Sequence, residues 1–284
     1  MIVLRNRPKE GCEALGLGVF DGLHLGHQEI IKQCSHVLSF DPHPDQLLNK
    51  NREIKLLTTV QERECLFPRI VTLTFTRAIA TLRAHQFLNE VVLKELSPKR
   101  MVVGYDFKFG YKKEGDLTVL KAWGVKHGVE IDVQDPFLMD GQPVKSAVIR
   151  RLVASGEIGE ANRLLGYDYV VLGEVVKGEQ RGRELGFPTA NLKVGDDKCM
   201  PGLGVYKGHV TIQGRDRICA IYVGRKPTFK GTAVGIELHM PGFDGDVYGE
   251  CVQLRIQARL RPEMRFENAD ALREQIKKDI SRVV

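Results

Sequence analysis

Two histidines three residues apart, His24 and His27, follow a short apolar stretch in Gly18-Val19-Phe20-Asp21-Gly22-Leu23-His24-Leu25-Gly26-His27-Gln28. Leu15 to Phe20 reads as a buried strand, Asp21-Gly22 as a turn, and Gln28 to Gln33 as helical. The pair therefore falls at a helix N-terminus, where unpaired backbone N–H groups and the helix dipole attract anions and glycine lets a phosphate approach the main chain. At this spacing both imidazoles could point at one phosphate. Taken alone, His-x-x-His is equally a turn followed by two surface histidines; the eleven-residue context carries the stronger reading.

A second chemical pattern lies in Phe187-Pro188-Thr189-Ala190-Asn191-Leu192. A threonine hydroxyl and an asparagine carbonyl two residues apart on an extended segment face the same way and suit one hard cation, with Mg2+ bridged to ATP phosphates as the natural candidate. The plain alternative is a polar strand edge stopped by proline.

The elements that must carry these residues differ between the two halves. Strand candidates at Leu15–Phe20, Val37–Phe40, Ile70–Phe75, Met101–Tyr105 and Val129–Val133 alternate with helical stretches at His27–Cys34, Ala84–Leu96 and Leu117–His127. This rhythm predicts a Rossmann-like, doubly wound α/β domain with a parallel sheet and a ligand crevice at the strand carboxyl ends. After Gly166 the pattern becomes β-rich, with runs at Tyr169–Val176, Gly204–Thr211, Arg217–Val223, Val234–His239 and Cys251–Leu260, which an antiparallel barrel accommodates. A terminal helix near Asn268 to Ser281 carries the apolar stripe Leu272, Ile276 and Ile280, its charged remainder reading as a solvated face. Two domains are expected, residues 1–166 and 167–284, the second able to fold alone.

Composition narrows the class. With 43% hydrophobic and 27% charged residues the 284-residue chain is that of a globular protein. No apolar run approaches ~18 residues, and Met1 to Glu10 lacks the apolar core of a signal peptide, so a cytoplasmic protein without a membrane partner is expected. Six dispersed cysteines show no zinc-ligand spacing. The net charge of +6 is spread among acids, and aromatics make up only 7%, which disfavours a nucleic-acid partner and suits anionic small substrates.

The His24/His27 segment resembles the signature of the HxGH nucleotidyltransferases, which join a nucleoside monophosphate to a phosphate-bearing substrate, and within them the FMN adenylyltransferase branch. Phe40-Asp41-Pro42-His43-Pro44 and Val103-Gly104-Tyr105-Asp106-Phe107-Lys108-Phe109-Gly110 add further matches, Asp106 following a strand. Lys145-Ser146-Ala147-Val148-Ile149-Arg150 stands where the family has Ser-Ser-Thr-x-Ile-Arg, keeping Ser146 and Arg150.

In the second half, Gly182-Arg183-Glu184-Leu185-Gly186-Phe187-Pro188-Thr189-Ala190-Asn191-Leu192 resembles the riboflavin kinase motif. Pro201-Gly202-Leu203-Gly204-Val205-Tyr206, Gly224-Arg225-Lys226-Pro227-Thr228-Phe229, Glu237-Leu238-His239, Asp244-Gly245-Asp246-Val247-Tyr248-Gly249 and Leu260-Arg261-Pro262-Glu263-Met264-Arg265-Phe266 follow in that family's order. The chain is thus similar over nearly its whole length to the bacterial bifunctional riboflavin kinase/FAD synthetase family.

That resemblance implies a transferase in flavin cofactor biosynthesis, with ATP, riboflavin and FMN as substrates, in a monomer or weak homo-oligomer. It implies Glu237 as the base for the riboflavin 5′-hydroxyl, His24 and His27 as the catalytic pair for adenylylation, and Thr189 and Asn191 as magnesium ligands. Gly18, Phe20, Asp21, Gly26, Asp106, Ser146, Arg150, Gly182 and Gly186 are implied for ATP and its phosphates, and Phe187, Pro188, Tyr248, Arg261 and Phe266 for the flavin. A nucleotidyltransferase for another phosphorylated substrate with a passive barrel is the alternative. Short segments between His27 and Phe40 and between Gln61 and Ile70, Pro241-Gly242, and a tyrosine at position 222 where asparagine is frequent depart from the family pattern.

Overall fold

Near-continuous apolar strands need cover on both faces, and the first half meets that need with a sheet wound by helices. A computed structural model describes residues 2–49, 54–178, 182, 186–228 and 231–283, with backbone alone at 226–228 and 231–233. Arg183, Glu184 and Leu185 of the kinase-like motif and Phe229 of a later one lie outside the described residues. The chain packs as two units, Met1–Ile54 with Arg63–Lys145, and Lys55–Glu62 with Ser146–Val284.

In the first unit, β1 (Leu4–Arg5), β2 (Ala14–Leu17), β3 (His36–Asp41), β4 (Ile70–Thr74), β5 (Arg100–Gly104) and β6 (Glu130–Gln134) form a sheet in the order β1-β4-β3-β2-β5-β6. All neighbours pair in parallel except β1, an antiparallel edge. Leu15, Leu17, Leu38, Val71, Met101 and Val103 from its centre are buried in one core. A small hairpin, β7 (Leu138–Met139) and β8 (Gln142–Pro143), stands apart from the sheet. The helices are α1 (Leu25–Ile31), α2 (Pro44–Leu48), α3 (Val60–Leu66, which spans the division between units), α4 (Arg77–Ala80), α5 (Ala84–Gln86), α6 (Lys94–Leu96) and α7 (Leu117–His127). The strand order reverses at β2, whose neighbours are β3 on one side and β5 on the other, so the carboxyl ends of β2 and β5 flank the crevice expected to take a ligand.

Two expectations change in detail. The first strand stops at Leu17 instead of Phe20, because Phe20, Gly22 and Leu23 take left-handed φ values of +55°, +84° and +38° and turn the chain. The helix expected over 84–96 forms, but Phe87–Leu93 winds as a π-helix between α5 and α6.

The second unit contains α8 (Ser146–Ser155), α9 (Ile158–Leu165), β9 (Tyr169–Val176), β10 (Ala190–Lys193), β11 (Gly204–Ile212), β12 (Arg215–Thr228), β13 (Gly231–His239), β14 (Cys251–Pro262) and α10 (Ala269–Ser281). Its six strands close into an antiparallel barrel in the order β10-β13-β12-β11-β14-β9, which leaves no unpaired edge. Period-two burial separates the faces: Ala190 and Leu192, Cys219, Ile221 and Val223, and Ile236 and Leu238 are buried, while the residues between them face the other way. Gly166 is the left-handed C-cap of α9, and Asn162 on that helix ties it to the barrel by donating to Ile256 O at 2.9 Å and accepting from Tyr169 N at 2.9 Å. The break in pattern at Gly166 thus marks where the strands begin, two helices inside this unit.

A buried cation stitches residues 55–62 into the same unit. Lys198 Nζ donates to Leu57 O at 2.6 Å, Glu62 Oε2 at 2.6 Å and Val170 O at 2.7 Å, 4.3 Å above the Tyr169 ring. Both charged side chains are 0% exposed, and Glu62 Oε1 also accepts from Leu172 N at 2.8 Å.

Candidate active sites

At the switch point β2 passes into α1 through a turn that buries polar groups. Gly18 N–H donates to Leu38 O at 3.2 Å, and a side chain at Gly18 would press on the Phe20 ring. Phe20, Asp21 and His24 are buried at 1%, 2% and 5% exposure. His24 caps α1, its Nδ1 accepting from His27 N at 3.3 Å. Burial lowers the His24 pKa to about 4, with Asp21 partly opposing. The ring is therefore neutral at pH 7, and because Nδ1 accepts, its proton sits on Nε2. His27 stacks on His24 with centroids 3.6 Å apart and meets the Phe20 ring edge-on at 5.3 Å. Burial, then the charges of His24 and Arg63, hold its pKa well below the usual imidazole range. Gly26 lets the His24 ring lie against the first turn of α1, since a Cβ there would come within 3.3 Å of Cε1 and Nδ1.

The remaining expected residues of this half fall in three places. Asp106 follows β5, the neighbour of β2, with Oδ1 3.6 Å from where a Gly104 Cβ would stand. His43 caps α2, its Nδ1 accepting from Asp45 N at 3.1 Å. Ser146 opens α8 and Arg150 lies one turn on, both half-buried, in the second unit.

In the second unit a row of cross-strand partners runs across the barrel: Val176, Asn191, Glu237, Tyr222, Val205 and Arg261, each directly opposite the next. All six line one cavity of about 780 Å³, a volume that suits a small-molecule site. Thr189 shares the face of Asn191, and its Oγ1 donates to Glu237 Oε2 at 3.1 Å. His239, two residues beyond Glu237, donates from Nδ1 to Pro188 O at 2.9 Å and meets Phe187 edge-on at 5.8 Å. Gly182 packs against Phe187 O and Thr189, where no side chain would fit, and accepts from Phe187 N at 2.8 Å. Arg261 is locked to Asp279 on α10, Nε to Oδ2 at 2.9 Å and Nη2 to Oδ2 at 2.8 Å, with its guanidinium 5.7 Å from the Phe266 ring centroid.

The structure thus brings Gly182, Phe187, Thr189, Asn191, Glu237, Arg261 and Phe266 to one cavity, with the Pro188 carbonyl beside it. Gly186 has an exposed, left-handed backbone, and Tyr248 is not among the lining residues; the Lys177 ammonium, which does line the cavity, lies 5.7 Å from its ring centroid.

Comparison with known proteins finds a different family model in each half of the chain. The model of the FAD synthetase family matches residues 7–148, and that of the riboflavin kinase family matches residues 165–284. The bifunctional riboflavin kinase/FMN adenylyltransferase of Listeria monocytogenes serovar 1/2a is 33% identical, covering 94% of this chain and 90% of its own. The Escherichia coli K12 protein of the same name is 31% identical, covering 97% and 93%. This chain belongs to the bifunctional riboflavin kinase/FMN adenylyltransferase family. The crystal structure of a macrolide-efflux protein from Streptococcus pneumoniae has a TM-score of 0.87 and 30% identity, covering 98% of this chain and 95% of that one. Among the described residues no helix is long and apolar enough to cross a membrane.

Several buried residues beside the candidate sites escape a reading of the sequence. Arg63 is 1% exposed and donates from Nη2 to Phe40 O at 3.2 Å, at the carboxyl end of β3. Its surroundings, Gln61-Glu62-Arg63-Glu64, look like a solvated helix face and give no signal. Asp279 corrects the expectation that the charged residues of the last helix are solvated: it is 3% exposed because Arg261 neutralises it. On the same helix Leu272, Ile276 and Ile280 line the cavity, so the apolar stripe walls a site.

Proposed function

We propose that the second unit phosphorylates riboflavin to FMN and the first transfers an adenylyl group from ATP to FMN, giving FAD and pyrophosphate. The observation that carries this reading is the register of Asn191 against Glu237 with Thr189 bonded to the same carboxylate. One strand pair thereby presents a base and two hard oxygen donors to a cavity with aromatic walls.

For the kinase step, the riboflavin 5′-hydroxyl attacks the γ-phosphorus of ATP, the bond to the β,γ-bridging oxygen breaks and ADP leaves, a reaction governed by positioning and charge neutralisation. Glu237 accepts the hydroxyl proton. The Thr189 hydroxyl holds the carboxylate in place through Oε2 and keeps lone pairs for a cation. Among the described residues no group of three His, Cys, Asp or Glu is placed to hold a metal. Thr189 Oγ1 and Asn191 Oδ1 nevertheless fit magnesium, which takes few protein ligands and completes its shell with phosphate oxygens and water. When bound, the ion supplies neutralisation of phosphate charge. Gly182 and Gly186 leave backbone room for ATP, while Phe187, Pro188, Arg261 and Phe266, with Tyr248 supporting Lys177, serve the flavin side.

Adenylylation needs no general base, because the attacking FMN phosphate is already an anion. Its oxygen attacks the α-phosphorus of ATP, and catalysis lies in donors aimed at the charge that develops. The neutral His24, with its proton on Nε2, is such a donor, and His27 is stacked beside it. Gly18, Phe20, Asp21 and Gly26 shape the turn, with Asp106 as a further nucleotide contact. We place the reactions in the cytoplasm, a reading supported by six cysteines that form no disulfide.

The test is chromatography of flavins after incubation of the full chain with riboflavin, ATP and magnesium. FMN followed by FAD is expected; the appearance of neither FMN nor FAD would overturn the reading.

A further inference from the structure

Tyr222 stands opposite Glu237 across β12 and β13, in the row that lines the cavity. Its ring runs along its own strand over Gly224, where any side chain would collide with it, and Gly224 is paired with Gly235. Gly224 thus forms the floor on which the ring rests. From there the phenol reaches Glu263, donating to Oε1 at 2.8 Å. Burial first, then the bond to Glu263, push the Tyr222 pKa up to about 12, so the phenol keeps its donor proton at neutral pH. Glu263 directly follows β14, in the segment from Arg261 at the strand's end through Met264 and Phe266, all three of which line the same cavity. One hydrogen bond therefore ties the strand beside Glu237 to the stretch that walls the cavity elsewhere.

We propose that Tyr222 is a positioning residue of the kinase site, its ring seated on Gly224 and its hydroxyl tethered to Glu263 to hold residues 261–266 against bound riboflavin. This rests on the kinase reading above. The tether acts on flavin binding, while the proton still goes to Glu237. It should therefore appear in the KM for riboflavin and leave kcat nearly unchanged.

The experiment compares Tyr222→Phe, Glu263→Ala and the double variant in the full chain, measuring KM and kcat for FMN formation. Conversion of supplied FMN to FAD by the same preparations serves as a control on folding. Each single variant should raise the riboflavin KM about fivefold to tenfold, the effect of losing one hydrogen bond of ordinary strength at a partly exposed site, with kcat within about twofold. The double variant should be no worse than either single one, because both remove the same bond. A wild-type KM in Tyr222→Phe, effects that multiply in the double variant, or equal losses in both reactions would overturn the proposal. Wild-type protein that makes no FMN would instead overturn the kinase reading itself.

Discussion

The Thr189 hydroxyl donates to Glu237 Oε2 at 3.1 Å, and Asn191, on the same face of β10, lies directly opposite Glu237 on β13. Strand register alone creates this juxtaposition, joining residues nearly fifty positions apart into one oxygen-rich cluster. In the roles proposed for them, base and cation ligands are therefore coupled, and changing one should disturb the other's geometry.

Asn191→Ala should raise the magnesium concentration for half-maximal FMN formation about tenfold, because Mg2+ binding by few protein ligands depends on each of them. FAD formation from supplied FMN should keep its magnesium dependence. A titration of both reactions on one preparation checks this, and an unchanged requirement for FMN formation would remove Asn191 from the cation site.

His24→Ala or His27→Ala should lower FAD formation from supplied FMN by ~10²–10³, the usual cost of one donor aimed at developing charge. Riboflavin phosphorylation should persist, so these variants accumulate FMN. Product chromatography reads both outcomes at once.

Acid should weaken the fold through the same histidines. Unfolded histidine titrates near 6.5, whereas His24 in the folded chain titrates near 4 and His27 is lowered as well. Between these values the unfolded chain takes up protons that the folded chain does not. Stability is thus fully present above pH ~6.5 and falls as pH drops toward ~4, by about 3 kcal/mol for His24 at the foot of the window. Thermal unfolding at pH 7 and pH 5 should show a smaller drop for His24→Gln than for wild type. Equal drops would show that His24 is not held neutral.

Much of this organisation is legible in the sequence because it is periodic or local. The strands of both halves announce themselves by apolar runs and alternation, and the His24/His27 turn by its spacing. Residues whose surroundings are assembled from distant segments give no such sign. Lys198 follows Gly195-Asp196-Asp197, which reads as an exposed turn, yet its ammonium is buried among Leu57, Glu62 and Val170. Phe20 is chemically a strand residue, and its positive φ comes from the turn it must complete. The π-helical winding at Phe87–Leu93 leaves the apolar pattern intact and so goes unseen.

Lys198 also bears on the expectation that residues 167–284 fold alone. A fragment starting at Tyr167 lacks Leu57 and Glu62, two of the partners of a fully buried cation, and removing one partner of such a pair costs about 3–5 kcal/mol. Lys198→Met should therefore stabilise the isolated fragment while destabilising the full chain. Denaturant unfolding of both forms checks the sign, and a destabilised Met fragment would contradict it.

The most direct measurement of the central claim, two separate chemistries with Glu237 serving only one, is the paired rate of Glu237→Gln on riboflavin and on FMN. Glutamine keeps the size and still accepts the Thr189 hydrogen bond, but takes up no proton. FMN formation from riboflavin should fall by roughly 10²-fold or more while FAD formation from supplied FMN stays at the wild-type rate. Undiminished phosphorylation, or equal loss of both reactions, would contradict the account.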